Sequence, residues 1–217
     1  TTQFARSCRG LHGEAATGNH VLFGCSDAAD SGALLLTWVP GINQYASKKI
    51  KYPRDGSNRG TGTVKAHEER DFFIGNLGNN HLARFRPQAD SLLASDLVDL
   101  GAQQAGFEFE REHGKRLAVL TRDGKLHVFN VETGWTKVSD VTLWDNTANN
   151  RWASGKRVPK LAAGPGRAYV SDPHEQKIYE VDLNTGALLR TLNIAGQPWN
   201  LAVFGWYEAF GQHVDNH

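Results

Sequence analysis

Short apolar runs recur along the chain, each flanked by Gly, Asn or Asp. About four apolar residues in a row, bounded in this way, are typical of a strand buried between two layers. The runs are HVLFGC (20–25), DFFIGN (71–76), RLAVLT (116–121), RAYVSD (167–172) and NLAVFG (200–205). The segment SLLASDLVDLGAQ (91–103) resembles a helix more closely, but Asp96 and Asp99 interrupt its apolar face. It is therefore predicted as a strand plus a turn.

The runs repeat at a nearly constant spacing. The first four begin at residues 20, 71, 116 and 167, so successive starts lie 51, 45 and 51 residues apart. After most runs a turn leads to an alternating strand, as in TRDGKLHVFNVETG (121–134), where Asp123-Gly124 is a hairpin signal. A repeat of this length fits one four-stranded blade of a β-propeller. The pattern thus predicts an all-β chain with about four blades.

The end of the chain bears on the size of the ring. QPWNLAVFG (197–205) has the pattern of the opening strand of another blade, so we assign 1–205 to blades and 206–217 to a polar C-terminal tail. The extra strand either closes a four-bladed ring or belongs to a larger one. Four-bladed rings are uncommon, and an open arc exposes strand edges and an apolar face. We therefore expect part of a larger ring, with its ends covered by further blades or by a second copy.

Composition and charge exclude several classes of protein. Apolar residues make up 40% of the chain and charged residues 22%, as in a globular domain with a core. The formal net charge of +1 gives no indication of nucleic-acid binding. The longest apolar stretch, ALLLTWV (33–39), is far shorter than the roughly 20 residues of a membrane span.

The two cysteines, Cys8 and Cys25, flank the first predicted strand pair. They form neither a Cys-x-x-Cys redox motif nor the paired spacing of a zinc finger. Placed on neighbouring strands they are able to reach each other, so a Cys8–Cys25 disulfide is predicted; two free buried thiols are the alternative. A disulfide indicates an oxidising compartment, the periplasm or the cell exterior.

The candidate metal ligands come from the strand that precedes each buried run. In a propeller that strand is innermost and lines the central channel. The corresponding segments are LHGEA (11–15), VKAHEE (64–69), GFEFERE (106–112) and KLAAG (160–164). Imidazole and carboxylate groups converging there suit Zn²⁺, which binds such ligands at about 2.0 to 2.2 Å. We therefore predict His12, Glu14 and His67 as zinc ligands.

Each candidate also has a structural interpretation. His12 beside Gly13 suits a turn, Glu14 suits a salt bridge and His67 suits a solvated loop. Other polar residues favour structural roles more strongly: Glu108 and Glu110 as partners of arginines on adjacent blades, His20 as a solvent-facing residue, His127 as a cross-strand partner, Asp172 and His174 as turn residues, and His213 and His217 as weak metal binders on the tail.

Several of these motifs together resemble a known family. CRGLHGEAATGNHVLFGCSD (8–27), FFIGNLG (72–78), FEFEREHGKRLAVLTRDGKLHVFNVETGW (107–135) and GQPWNLAVFG (196–205) are similar to the C-terminal half of AztD, a family of periplasmic zinc metallochaperones. The resemblance covers essentially the whole chain. It implies half of an eight-bladed propeller that binds Zn²⁺ and delivers it to the substrate-binding protein of an ABC importer. A His-rich segment of that family is missing here.

The same resemblance implies a periplasmic location. The chain begins at Thr1 and contains no Met, which favours a processed product or a fragment whose export signal has already been removed. Any zinc ligands from the other half of the ring would be missing from this chain.

Two other classes of function compete with zinc binding. A propeller hydrolase needs an acid/base pair or a nucleophile; no Gly-x-Ser-x-Gly motif is present and no pair of carboxylates stands out, so we predict no enzyme. A metal-free interaction scaffold would use exposed aromatic anchors such as Trp135, Trp144 and Trp152. Their alternative role is packing between blades.

Overall fold

The computed structural model describes residues 6–26, 31–53, 60–145 and 151–204. These residues form four antiparallel sheets of four strands each, and within every sheet each strand pairs with the next along the chain. The first two blades consist of β1 (His12–Thr17), β2 (His20–Gly24), β3 (Gly32–Val39) and β4 (Gln44–Lys51), then β5 (Val64–Ala66), β6 (Phe73–Leu77), β7 (His81–Phe85) and β8 (Leu97–Asp99). The next two consist of β9 (Gln104–Phe109), β10 (Arg116–Thr121), β11 (Lys125–Asn130) and β12 (Thr136–Thr142), then β13 (Lys160–Gly164), β14 (Arg167–Asp172), β15 (Lys177–Asp182) and β16 (Leu188–Asn193).

The first strand of each sheet is the innermost one. β1 contacts β5, β5 contacts β9 and β9 contacts β13, so the four sheets follow one another around a common centre. This arrangement confirms the predicted all-β fold with four propeller blades. The predicted channel-wall segments are indeed the first strands or their immediate extensions.

The buried runs form the second strand of each blade because both of their faces are covered. Strand β10 shows this: nearly every residue is buried, and it lies between β9 and β11. The Asp123-Gly124 hairpin closes as predicted, with the Gly124 amide donating to the Thr121 carbonyl at 3.1 Å. Gly124 has φ +89°, in the left-handed region that a residue with a Cβ rarely adopts.

Three apolar cores lie between successive blades. The core between blades 1 and 2 includes Leu22, Leu35, Ile50, Phe73 and Phe85. The core between blades 2 and 3 includes Ile74, Leu82, Phe107, Leu117 and Phe129. The core between blades 3 and 4 includes Leu120, Val128, Trp144, Val170 and Tyr179. A smaller cluster of Cys8, Val21, Phe23, Cys25, Leu34 and Leu36 lies on the other face of blade 1, away from blade 2.

The predictions for two short segments have different outcomes. The segment 91–103 contains a 3₁₀ turn, Ala94–Asp96, followed by β8, which confirms a turn and a strand. Residues 197–204 do not form a strand, although Val203 packs against Gly164 at the end of β13. The proposed boundary between blades (1–205) and tail (206–217) lies outside the described residues and stays a prediction.

The predicted disulfide is present. Cys8 precedes β1 and Cys25 follows β2, and their Cα atoms lie 5.2 Å apart across the bond. The crosslink therefore closes the open end of the first hairpin. Within the described residues, no helix has the length and apolarity needed to cross a membrane.

Candidate functional site

Strand β1 carries two of the three predicted zinc ligands around a β-bulge. His12 lies opposite Gly24 and Glu14 lies opposite Phe23, so Gly13 is an extra residue between two successive pairs. Gly13 has φ +63°, and a Cβ there would lie 2.8 Å from the Gly62 carbonyl oxygen, just before the next inner strand, β5. Since neighbouring positions of a ladder face opposite sides, the bulge places His12 and Glu14 on opposite faces of the sheet.

Both side chains are accessible. His12 and Glu14 are exposed, and neither side chain makes a hydrogen bond or ion pair to another residue in the described part of the chain. They belong to the innermost strand, which has no partner strand of its own sheet on the channel side. An imidazole and a carboxylate free of other partners are suitable zinc ligands.

His67 has a different environment. Its Nδ1 accepts the Glu69 amide at 3.2 Å, and its Nε2 donates to the Arg111 carbonyl oxygen at 3.1 Å. The ring also packs against Gly114, where a Cβ would lie 2.5 Å from its Cγ. This imidazole therefore fastens the loop after β5 to the loop after β9. It must release one of these hydrogen bonds before it binds a metal.

The structure places His67 at the opposite end of the inner strands from His12. The backbone of Gly13 meets Thr63 and Val64, at the beginning of β5, whereas Thr17 at the end of β1 contacts the His67 carbonyl. At about 3.3 Å per residue, His12 and Thr17 are separated by roughly 16 Å. In the described residues no group of three His, Cys, Asp or Glu side chains converges on a possible metal position. The proposed set of His12, Glu14 and His67 is therefore not assembled as one site here.

The acidic residues of β9 have structural partners. Glu108 accepts Lys65 of the adjacent blade at 2.9 Å, so its partner is a lysine rather than the predicted arginine. Glu110 is buried and accepts the amides of Glu112, His113 and Lys115, and thus organises the β9–β10 loop. The arginine prediction for Glu110 is wrong because the loop amides occupy its carboxylate.

The predictions for the other histidines and for Asp172 have different outcomes. His127 is confirmed as a buried cross-strand residue, with Nδ1 2.6 Å from Asp140 and Nε2 3.1 Å from the Thr121 hydroxyl. His20 is half-buried and bonds Thr37, rather than facing solvent. Burial and the nearby Lys48 lower the pKa of His20. His174 lies in the β14–β15 turn as predicted, whereas Asp172 is the last residue of β14 and its carboxylate accepts the His174 amide at 3.0 Å. His213 and His217 lie outside the described residues.

The His127 network has the connectivity of a hydrolase triad but not its accessibility. A hydroxyl, an imidazole and a carboxylate follow in order. However, Thr121 is fully buried and its hydroxyl is also within hydrogen-bond distance of Asp123 and the Lys125 carbonyl. A nucleophile must reach the substrate, so this group serves to join β10, β11 and β12.

Sequence reasoning missed one pair of metal-binding residue types beside His67. His113 Nδ1 lies 3.1 Å from Glu69 Oε2, and both side chains are about half exposed. The signal was present in HEE (67–69) and EREH (110–113), at the ends of two inner strands. These two side chains are close because β5 and β9 lie side by side in successive blades, which the sequence pattern alone does not give.

The three tryptophans considered as anchors pack between structural elements. Trp144 belongs to the core between blades 3 and 4. Trp135 donates to the Asp96 carbonyl of blade 2 and packs edge-on against Phe129, and Trp152 donates to the Arg122 carbonyl. These contacts support the packing role rather than the partner-binding role.

The fold and its inner-strand residues define the protein as an arc of four β-propeller blades. No family model matches the chain. Among curated proteins it is similar to the zinc chaperone AztD of Citrobacter koseri, with 27% identity over 211 residues, 96% of this chain and 48% of that protein. The chain thus spans about half the length of this relative.

Comparison with solved structures gives the same similarity. The crystal structure of Citrobacter koseri AztD matches with a TM-score of 0.73 and 26% identity, covering 89% of this chain and 49% of the other. Apo AztD from the same organism matches with a TM-score of 0.71 and 25% identity over the same shares. The C-terminal WD40 domain of Sif2, at 12% identity and a TM-score of 0.57, supports only the fold. The resemblance to AztD read from the sequence is confirmed.

Proposed function

We propose that this chain forms half of an eight-bladed periplasmic zinc metallochaperone, which binds Zn²⁺ as cargo and delivers it to the substrate-binding protein of an ABC importer. The similarity to a zinc chaperone over 96% of the chain carries the proposal. The disulfide is consistent with an oxidising compartment such as the periplasm. The chain acts as a carrier, not as an enzyme.

His12 and Glu14 are the proposed zinc ligands at one end of the inner strands. Structural zinc sites use four protein ligands, whereas a site that releases its metal needs an open or exchangeable position. Because the bulge places them on opposite faces of the sheet, His12 and Glu14 each supply one ligand of a separate site. The other ligands come from residues outside the described ranges or from the remaining blades. His67 is assigned separately, as a ligand at the opposite end.

Zinc transfer is the property that distinguishes a chaperone from a passive metal binder. The test loads the chain with one equivalent of Zn²⁺ and mixes it with a metal-free zinc-specific substrate-binding protein. The two are then separated and the zinc in each is measured. A matched reaction replaces the chain with a small chelator of equal zinc affinity. Faster transfer from the chain than from the chelator supports delivery by direct contact.

Equal rates from the chain and the chelator would contradict delivery by contact, because zinc would then pass through solution in both reactions. Variants His12→Ala and Glu14→Gln should reduce the zinc loaded and hence the zinc transferred. His81→Ala serves as the control, since His81 lies on β7, the third strand of its blade.

A metal-free interaction scaffold is the second candidate function. The apolar cluster on the face of blade 1 away from blade 2 favours it, because Val21, Phe23, Leu34 and Leu36 point away from blade 2. The remaining propeller blades or a second copy are the partners that we propose for this face. A scaffold without metal function would show no saturable zinc binding in the loading step.

A further inference from the structure

A cavity of about 350 Å³ at blade 4 is lined by basic side chains. Its lining residues are Arg151, Gly155, Lys156, Arg157, Pro173, His174 and Gln197. Three of them are permanent cations, and no carboxylate belongs to the described lining. The cavity lies within the range of about 300 to 1,000 Å³ that is usual for small-molecule sites.

Arg151 forms the buried part of this wall. Its side chain is 3% exposed, its Nε donates to the fully buried Asp172 at 3.0 Å, and its guanidinium lies 5.0 Å from the Trp144 ring centre. Nη2 lies 3.6 Å from Glu175, but Nη1 is buried without a hydrogen-bond partner in the described part of the chain. Asp172 thus fixes the orientation of Arg151 and leaves some of its donors unused.

Lys156 and Arg157 supply charge that no carboxylate of the described residues neutralises. Both are exposed, and neither forms an ion pair with another described residue. Arg157 is positioned by Trp199, since its guanidinium lies 5.1 Å from the ring centre. Cation–π contact of this kind orients an arginine without using its hydrogen-bond donors.

The neighbouring charges leave the cavity positive. Glu175 lies at its rim, where Oε1 is 3.3 Å from His174 Nδ1 and one carboxylate oxygen is 3.8 Å from Lys177. Asp172 offsets Arg151 and Glu175 offsets Lys177, so among the described residues the charges of Lys156 and Arg157 remain without a counter-charge. A concave surface lined by one sign of charge concentrates ions of the opposite sign.

We propose that this cavity binds a small oxyanion, a carboxylate or a phosphate. Arginine recognises both through paired N–H···O⁻ hydrogen bonds, and lysine adds a point charge. The site lies at the end of the propeller where the inner strands begin, because its residues precede β13, occupy the β14–β15 turn or follow β16. His12 begins β1 at the same end. The proposal does not depend on zinc binding.

The test titrates chelator-treated protein with inorganic phosphate and, separately, with citrate in low-salt buffer, by isothermal titration calorimetry. We expect one saturable site per chain for at least one of the two anions. The variant Lys156→Gln/Arg157→Gln should weaken binding at least tenfold. The control Lys48→Gln/Lys125→Gln removes the same charge from partly exposed, paired lysines of blades 1 and 3 and should change affinity less than twofold.

The two anions distinguish the chemistry of the ligand. Saturation by citrate alone identifies a carboxylate site, and saturation by phosphate alone identifies a phosphate site. Tryptophan fluorescence is measured during the same titrations. A change in emission that occurs in the wild type but not in Trp199→Phe would locate the anion beside Arg157. The proposal is overturned if neither anion saturates, or if both double variants lose affinity equally, because the second result reflects net charge only.

Discussion

The hydroxyl of Thr17 lies 3.2 Å from the carbonyl oxygen of His67, which ties the end of β1 to the loop after β5. The same hydroxyl is 2.7 Å from the Arg70 carbonyl, its closer acceptor. These contacts place His67 beside the last residue of β1, whereas His12 is the first. One zinc ion therefore cannot bridge His12 and His67 in this arrangement, and the zinc ligands must be tested one at a time.

The disulfide should contribute substantially to stability. A crosslink between Cys8 and Cys25 restricts the unfolded chain, and for a loop of this length the chain-entropy model gives about 3 kcal/mol. We expect reduction, or Cys8→Ser/Cys25→Ser, to lower the free energy of unfolding by about that amount in urea denaturation. Dithiothreitol should have no further effect on the double variant. An unchanged urea midpoint after complete reduction would contradict the prediction.

The His127 network should be a stabilising element of blade 3. His127 is buried and bonded to both Thr121 and Asp140, so His127→Ala removes the packing of a buried ring and one hydrogen bond from each of these two residues. We expect a loss of about 2 to 3 kcal/mol, mainly from the lost packing, because Thr121 and Asp140 keep other hydrogen-bond partners. His81→Ala is the matched control, since His81 is partly exposed and its Nε2 lies 3.8 Å from Asp99. It should lower the free energy of unfolding by less than about 1 kcal/mol. Similar losses for the two would refute the network's role.

Asp140 should make stability depend on pH in the acidic range. Burial raises the pKa of Asp140, but hydrogen bonds from Lys137 and His127 outweigh this effect and lower the pKa below its ordinary value. A carboxyl with a lowered folded-state pKa stabilises the fold above its unfolded pKa, and this contribution is lost as the pH falls through the folded pKa.

The measurement compares urea midpoints of the wild type and Asp140→Asn from pH 6 to pH 2.5. The wild type should be more stable near pH 6, and the difference should shrink on acidification below about pH 4. A difference that stays constant across this range would show that the charge of Asp140 is not responsible.

Gly24 should tolerate no side chain, since its neighbours are backbone atoms. A Cβ would lie 2.3 Å from the Thr61 carbonyl oxygen and 2.5 Å from that of His12. Gly24→Ala should therefore cost about 2 to 3 kcal/mol through displacement of the backbones of β1 and of the segment before β5. Gly134→Ala is the control, because nothing lies within 4 Å of its Cβ position. Thermal denaturation of both variants tests this, and equal melting temperatures would contradict the close approach of blades 1 and 2.

The blades were predictable because each second strand is covered on both faces and therefore appears as a continuous apolar run. Asp123-Gly124 added a local signal, since a left-handed turn demands a residue such as Gly. The bulge at Gly13 was not predictable, because the Gly62 carbonyl that lies close to Gly13 and leaves no room for a Cβ belongs to another blade. The contacts of His67 with Arg111 and Gly114 likewise depend on how the blades are arranged. The sequence identified candidate ligands but not which of them converge.

Zinc bound per chain at equilibrium tests the central claim most directly. Protein without a His tag is dialysed against a buffer of fixed free Zn²⁺, and its zinc is measured by mass spectrometry for the wild type, His12→Ala, Glu14→Gln, His67→Ala and the control His81→Ala. We predict saturable binding. His12→Ala and Glu14→Gln should each weaken zinc binding at least tenfold at the site of that residue, and His81→Ala should leave binding unchanged. Absence of saturable binding, or binding that none of His12, Glu14 and His67 affects, would contradict zinc binding by these inner strands.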